Sequence, residues 1–253
     1  MSGEPTTHTP AAPGAGAKPA FYATGRGRGG WRDWLSLLHP PYTAWHLSYV
    51  AIGAALAHPL HFDRLGYTLL AFFLGLGIGA HALDEMQGSP LHTGIRRWQL
   101  LTAAVVSIAG AALIGWFVGG LRLVPFIAVG AVLAFGYNLE WFGGTLHNAV
   151  GLAFAWGAFP VLTSYFVQNW TISLAAVIAA FAAFSVTLAQ RALSTPARWL
   201  RRSVRHAELT ATLPDGATTQ LSSSELLKPL ESALKAISWG MVALAIALVL
   251  ARR

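Results

Sequence analysis

The sequence predicts an all-α protein built as a polytopic bundle of membrane-spanning helices. Hydrophobic residues make up 55% of the 253 residues and charged residues only 11%, whereas a soluble globular domain averages about 25% charged residues. Long runs without any charge recur, such as 100–120 and 170–189, and each is near the ~20 residues that a helix needs to cross a bilayer. Composition and run length together therefore place the chain in a membrane.

The N-terminal segment has a different composition from the rest. Residues 1–30 are rich in Gly, Pro, Ala and Thr and carry no apolar run, which predicts a disordered tail. The amphipathic stretch 31–38 follows, and we expect it to lie in the membrane interface with its Trp side chains at the level of the headgroups. Pro40 and Pro41 end this stretch.

About seven spans are predicted after Pro41. They cover residues 42–58, 66–87, 98–118, 122–141, 148–167, 170–192 and 231–251. The last span is the weakest, because its purely apolar part begins only near Ile237. We therefore expect a bundle over residues 31–206 and a separate C-terminal transmembrane helix over residues 231–253.

One polar insert, residues 207–230, separates the sixth span from the last. Alternating β-forming residues flank Asp215-Gly216, and this pattern predicts a β-hairpin. Ser222 to Ser224 offer an N-cap for a helix that leads into the last span. The insert is predicted to be a small cytoplasmic cap on the bundle rather than a second domain.

The distribution of basic residues predicts the orientation. With the N-terminus inside, thirteen of the 17 Lys and Arg residues lie on the inner face, and the positive-inside rule then places the N-terminus in the cytoplasm of a cell-membrane protein. The net charge of +7 reflects this asymmetry, so anionic membrane lipids are the expected partner and nucleic acid is not. The chain contains no cysteine, which excludes disulfides and thiolate chemistry.

His81, Asp84 and Glu85 stand at the cytoplasmic end of the second predicted span. On a helix they share one face, at positions i, i+3 and i+4. An Asp at the centre of a spanning helix costs roughly 2.5–3.5 kcal/mol, so a compensating role is expected. Two carboxylates and an imidazole can hold Mg²⁺ when a substrate phosphate supplies the other ligands. The alternative is a group of interfacial residues that meet water among the headgroups.

The sequence HALDEMQGSP (81–90) is similar to TLAQRALSTP (187–196) at the end of the sixth predicted span. In this alignment Asp84 falls opposite Gln190, and Glu85 falls opposite Arg191. Basic residues follow each stretch, namely Arg96 and Arg97 after the first and Arg198, Arg201 and Arg202 after the second. Unless this short match is chance, it predicts an acidic and a basic helix end that face one cavity.

Two further groups of polar residues complete the candidate site. Many polar side chains surround Gly143-Gly144 in the turn between spans four and five, where a water-exposed turn is the alternative interpretation: Tyr137, Asn138, Glu140, His147 and Asn148. His46 lies early in the first span, where a lone His is more often a hydrogen-bonded core residue than a ligand.

The chain has Asp84 after a span, a proline shortly afterwards, a matching segment four spans later and a Tyr-plus-Gly-Gly turn between them. In these four features it resembles the UbiA superfamily of intramembrane prenyltransferases. The resemblance covers about residues 35–200 and includes the opening segment 38–57. In that family, Asp-rich motifs on helices two and six bind Mg²⁺ and the diphosphate of a polyprenyl donor. Ionisation of the donor gives an allylic cation, which an acceptor captures or which cyclises.

The chain departs from the family pattern at both motifs. Ala80 and His81 stand at the Asn and first Asp positions of motif one, Asp84 is kept, and Gly88 replaces the last Asp. The second motif has Gln190 and Arg191 instead of acids.

The resemblance therefore implies a rebuilt site. In it Asp84 and Glu85, with His81, hold Mg²⁺, and Arg191 replaces the second metal cluster as a catalytic residue. The substrate- or diphosphate-binding residues would be His46, Arg96, Arg97, Tyr137, Asn138, Glu140, Gln190 and Arg198.

The predicted function is thus prenyl transfer or cyclisation of a polyprenyl diphosphate. The alternative is a non-catalytic protein that binds or carries an isoprenoid or other anionic lipid. A retinal protein is not expected, because Lys235, the only candidate for a Schiff base in the last helix, lies at the cytoplasmic margin.

Overall fold

The structure is a computed structural model that describes residues 20, 22–24, 27–204 and 208–253. Most of this chain is helical, which confirms the all-α class. The helices in chain order are α1 (Trp31–Leu37), α2 (Pro40–Ala55), α3 (Phe62–Phe72), α4 (His81–Gly88), α5 (Arg97–Gly119), α6 (Val124–Asn138), α7 (Trp141–Gly144), α8 (Ala149–Ala153), α9 (Phe159–Asn169), α10 (Leu174–Arg202) and α11 (Ser223–Leu250).

Five helical stretches of the described chain are long and apolar enough to cross a membrane. They are Phe62–Gly88, Arg97–Asn138, Ala149–Asn169, Leu174–Arg202 and Ser223–Leu250. The predicted membrane-helical character is therefore supported by length and composition. The expected number of seven spans stays a prediction, because α2 has only 16 residues and α5 and α6 belong to one long apolar stretch.

That long stretch folds back on itself at a single turn of 3₁₀-helix, Gly120–Leu123. Gly120 has a φ of +52°, a conformation that favours glycine. A Cβ on Gly115 would lie 3.1 Å from Ile127, so α5 and α6 approach closely just beyond the turn. The sequence predicted two separate helices here, and the structure contains them.

Two helical segments contain a π-helical stretch that the sequence analysis did not foresee. Residues Phe73–Ala80 join α3 to α4, and residues Phe154–Ala158 join α8 to α9. A Cβ on Gly157 would lie 2.6 Å from the Thr187 hydroxyl, so a glycine is what lets the second π segment pack against α10. Such π segments are frequent at functional sites, and both lie beside the cavity described below.

The core is divided between two groups of buried side chains. One group joins α4, α5 and α6 through residues such as Leu83, Ala104 and Ala134. The other surrounds α2, where Trp45 and Tyr49 are fully buried against α9, α10 and α11. Between these groups the helix ends leave an open space, which holds the candidate site.

The predicted hairpin is confirmed. Strands β1 (Glu208–Thr212) and β2 (Thr218–Ser222) pair antiparallel, with Glu208 opposite Ser222. The Ser222 hydroxyl accepts a hydrogen bond from the Glu225 amide at 3.4 Å, and the Glu225 carboxylate accepts one from the Ser222 amide at 2.8 Å. This capping box starts α11, which then runs to Leu250 without the boundary that we expected at residue 231.

The described part of the N-terminal tail is packed, so the prediction of a disordered tail over residues 1–30 needs correction there. Residues 1–19, 21 and 25–26 lie outside the described chain. Ala20 and Ala23 are buried with Leu91, and the buried carboxylate of Asp33 on α1 holds the segment. Its oxygens accept hydrogen bonds from three backbone amides, those of Gly27 (3.2 Å), Gly29 (2.6 Å) and Gly94 (3.2 Å).

The two similar segments, 81–90 and 187–196, end differently. Helix α4 stops at Gly88, where Ser89 takes up a left-handed conformation. Helix α10 instead continues through Pro196 to Arg202. The basic residues after Pro196 are therefore helical, and they extend one wall of the cavity.

Candidate functional site

A polar cavity of about 250 Å³ lies between the ends of α2, α4, α6, α10 and α11. Two thirds of the predicted site residues line it. They are His46, His81, Asp84, Tyr137, Asn138, Gln190, Arg191 and Arg198. The acidic and basic helix ends that the sequence comparison paired thus face the same space.

Four predicted site residues lie elsewhere. Arg96, Arg97 and Glu140 are exposed and do not line the cavity. Arg96 and Arg97 start α5 beyond the loop 89–95, and Glu140 follows α6 in a left-handed turn conformation. Their predicted roles in substrate binding are therefore corrected.

Glu85 is also turned away from the cavity and is buried among the backbone of the loop that follows α4. Oε1 accepts hydrogen bonds from the amide and the hydroxyl of Thr93, both at 2.8 Å, and Oε2 accepts one from the Leu91 amide at 2.9 Å. This geometry corrects the expectation that Glu85 joins Asp84 as a metal ligand and catalytic residue. Its carboxylate organises a loop instead.

The donor set for a metal ion is correspondingly small. Across the described residues, no three His, Asp or Glu side chains come together in a way that could hold a metal ion. His81 and Asp84 both line the cavity, and a single carboxylate meets what Mg²⁺ requires only when substrate phosphates supply other ligands. Mg²⁺ at this place therefore stays a prediction, and it depends on a bound diphosphate.

The basic wall of the cavity is one face of α10. Arg191, Arg198 and Arg202 are spaced by seven and four residues, so they project from the same side of the helix. Arg201, which also lines the cavity, is paired with Glu231 of α11. Arg191 and Arg198 have no ion-pair partner among the described residues, and Asp84 lies within electrostatic range of Arg198.

Two cavity residues that the sequence analysis missed belong to the N-terminal part of the chain. The Tyr22 hydroxyl is hydrogen-bonded to Nδ1 of His39, whose ring packs against that of His81 with centroids 4.3 Å apart. Burial holds the pKa of His39 well below its usual value, and the neighbouring His81 and Arg202 act in the same direction. Burial likewise raises the pKa of the Tyr22 phenol above its ordinary range.

The turn between α6 and α8 divides its polar residues between two tasks. His147 lines the cavity, with its ring stacked on that of Tyr137 at a centroid distance of 4.6 Å. Asn148 does not line it, because its side chain caps α8 by accepting a hydrogen bond from the Gly151 amide at 2.8 Å. The turn is thus partly a site and partly an ordinary helix cap.

A second, apolar cavity of about 140 Å³ adjoins the first. It lies among α3, α5, α6 and α9, and its walls are formed by aliphatic and aromatic side chains such as Phe72, Phe126 and Phe159. Leu76 and Trp156 line both cavities, so the polar and apolar spaces are neighbours on either side of these two residues. Each belongs to one of the π segments.

No protein-family model matches the chain, and no curated protein and no solved structure is similar enough to count as a match. The resemblance to the UbiA superfamily therefore stays a prediction from the sequence features given above. The function has to be argued from the two cavities.

Proposed function

We propose that this protein binds an isoprenoid diphosphate across the two cavities and transfers or cyclises its prenyl chain, as the resemblance to the UbiA superfamily implies. The observation that carries the proposal is that an arginine-lined polar cavity and an apolar cavity lie side by side and share two lining residues, Leu76 and Trp156. A ligand that fills both spaces has an anionic head and a long apolar tail.

Arg191 and Arg198 suit the head of such a ligand. A guanidinium donates parallel hydrogen bonds to two phosphate oxygens and remains charged at any physiological pH. Fixed positive charge of this kind stabilises a departing diphosphate, which is the main electrostatic task in ionisation of an allylic diphosphate. When bound with the diphosphate, Mg²⁺ would supply further charge neutralisation beside Asp84.

One observation favours a second candidate function, a non-catalytic carrier of the same class of lipid. Glu85 is committed to the loop 89–93, and Glu231 is paired with Arg201, which leaves Asp84 as the cavity carboxylate that is free to take part in metal binding. Binding of a phosphate head requires only the arginines, whereas cleavage of the diphosphate ester benefits from more than one metal ligand.

The test uses the full-length protein in a mild detergent, with farnesyl and geranylgeranyl diphosphate as probes. We expect each probe to raise the unfolding temperature, and we expect the enzyme to release inorganic diphosphate when acceptor lipids extracted from the expression host are added. Stabilisation without release would favour the carrier. The absence of stabilisation by either probe, with or without Mg²⁺, would overturn both functions.

A further inference from the structure

Three histidines of the polar cavity share one hydrogen-bonding pattern. In each, Nδ1 donates to a backbone carbonyl: His46 to Trp156 at 3.0 Å, His81 to Gly77 at 3.1 Å and His147 to Tyr137 at 2.9 Å. A carbonyl oxygen can only accept, so Nδ1 must carry the hydrogen in all three rings. The neutral form of each ring is thereby fixed as the Nδ1–H tautomer.

In that tautomer Nε2 carries a lone pair and can only accept a hydrogen bond. Within the described chain no hydrogen bond reaches Nε2 of His46 or His81. His46 is only 8% exposed, and both rings line the polar cavity and lie within electrostatic range of each other. Their lone pairs can therefore accept a hydrogen bond only from a molecule inside the cavity.

The polar cavity consequently has two chemically different walls. The wall on α10 presents Arg191 and Arg198, which can only donate hydrogen bonds. The wall on α2 and α4 presents His46, His81 and Asp84, which accept them, beside the Tyr42 hydroxyl, which can do either. A diphosphate has only acceptor oxygens when fully ionised, so it fits the first wall and not the second.

A metal ion does not explain the two imidazoles. Mg²⁺ prefers oxygen ligands to imidazole, and among the described residues no three His, Asp or Glu side chains come together to hold another metal. Neither Nε2 is among the buried side-chain atoms without a partner in the described chain, so both are accessible from the cavity. A ligand group with an O–H or N–H bond satisfies both rings, and such a group differs from the diphosphate in kind.

We propose that His46 and His81 form the subsite for a hydroxyl or amine group of the second substrate, the acceptor of the prenyl chain. This inference rests on the proposed function. The reacting carbon of a prenyl diphosphate lies one bond from the head and begins the tail, so it must sit where the two cavities meet. Trp156, whose carbonyl orients His46, lines both cavities, so we expect a group bound to His46 to lie beside the reacting carbon.

The test compares two probes that differ only in the hydrogen-bond donor, 4-hexylphenol and its methyl ether 4-hexylanisole. Binding is measured by titration calorimetry on the protein in lipid nanodiscs, with empty nanodiscs subtracted. We expect the phenol to bind about tenfold more tightly than the ether, and we expect farnesyl diphosphate to leave phenol binding in place. Equal affinities would overturn the subsite, and displacement of the phenol by farnesyl diphosphate would overturn its assignment to a separate acceptor.

Variants give an independent arm. His46→Phe should remove the preference for the phenol, and the matched change His58→Phe, at an exposed histidine that lines neither cavity, should keep it. If His46→Phe does not fold, ¹⁵N NMR spectra of histidine-labelled wild type are recorded in place of the variant measurement. A bound phenol should change the Nε2 chemical shifts of two rings in the Nδ1–H tautomer. The affinity of the wild type for farnesyl diphosphate is measured alongside. If the wild type prefers the phenol but does not bind farnesyl diphosphate, the proposed function alone is refuted. If it binds farnesyl diphosphate but does not prefer the phenol, the subsite alone is refuted.

Discussion

Glu85 Oε1 accepts two hydrogen bonds from Thr93, one from its amide and one from its hydroxyl, both at 2.8 Å. Three hydrogen-bond donors of one loop, including the Leu91 amide, thus compensate the free-energy cost of burying this carboxylate. Asp84, its neighbour in sequence, faces the cavity instead. Consecutive residues of an α-helix point about 100° apart, which is why two adjacent acids serve separate purposes.

Replacing Glu85 should therefore affect stability and not ligand binding. Glu85→Gln turns one acceptor oxygen into an N–H donor, which then faces the Leu91 amide or the Thr93 amide. We expect a loss of about 1–3 kcal/mol in the free energy of unfolding, with an unchanged affinity for farnesyl diphosphate. Thermal unfolding in detergent measures the first quantity and isothermal titration the second; a variant that unfolds like wild type but binds less would return Glu85 to the site.

Arg191 should matter for binding because it lines the cavity without an ion-pair partner in the described chain. Arg191→Ala is expected to weaken farnesyl diphosphate binding about ten- to hundredfold, the range for a hydrogen bond to a charged group. Arg191→Lys should restore only part of it, because an ammonium lacks the planar fork of a guanidinium. Arg97→Ala, an exposed arginine outside the cavity, is the matched control, and equal affinities for Arg191→Ala and Arg97→Ala would refute the arginine wall.

The dependence on Mg²⁺ should appear only with a diphosphate present, because few protein oxygens are available to replace the water around the ion. We expect Mg²⁺ and farnesyl diphosphate together to raise the unfolding temperature more than the sum of their separate effects. Asp84→Asn should abolish this excess, whereas Glu85→Gln should retain it. An excess that survives in Asp84→Asn would remove Asp84 from any metal site.

The N-terminal segment should be released when its contact with the loop 89–95 is blocked. A Cβ on Gly94 would lie 2.3 Å from the Gly27 carbonyl oxygen, whereas a Cβ on Gly88 would meet nothing within 4 Å. We therefore expect Gly94→Ala to speed tryptic cleavage after Arg28, and Gly88→Ala to leave it unchanged. Sequencing of the early fragments checks this, and identical cleavage rates would show that the contact does not hold the segment.

The orientation prediction can be tested with single cysteines, since the chain has none. Ser89, Thr145 and Ser224 are exposed and lie in the three segments that we expect on the cytoplasmic side. Cysteines at these positions should react with a membrane-impermeant maleimide only after the cells are opened. Labelling of any one of them in intact cells would break the predicted topology.

The sequence was informative where a feature depends on local spacing. The long helices, the hairpin at Asp215-Gly216 and its Ser222 cap all follow from short-range patterns, and each is present. The placement of Asp84 and Arg191 in one cavity also agrees with the short match between the two helix ends. Eight of the predicted site residues meet there.

The features that the sequence did not reveal depend on contacts between distant segments. The direction of the Glu85 side chain is set by the backbone amides of Leu91 and Thr93. Every residue except proline has such an amide, so the residue types do not reveal these hydrogen bonds. The apolar cavity arises where aliphatic faces of four helices fail to fill the space between them, and their periodicity cannot show a gap. Tyr22 lines the polar cavity, although it belongs to a stretch whose composition indicated disorder.

The hydrogen bond from the Gly94 amide to Asp33 also constrains the order in which the molecule can be assembled. The two residues are 61 positions apart, and α2, α3 and α4 lie between them. During synthesis Asp33 leaves the ribosome long before Gly94 exists, so the carboxylate must wait, solvated, while the intervening apolar helices are inserted. The N-terminal wall of the cavity is therefore completed only after the stretch Phe62–Gly88 has been made, although its own residues come earlier in the chain.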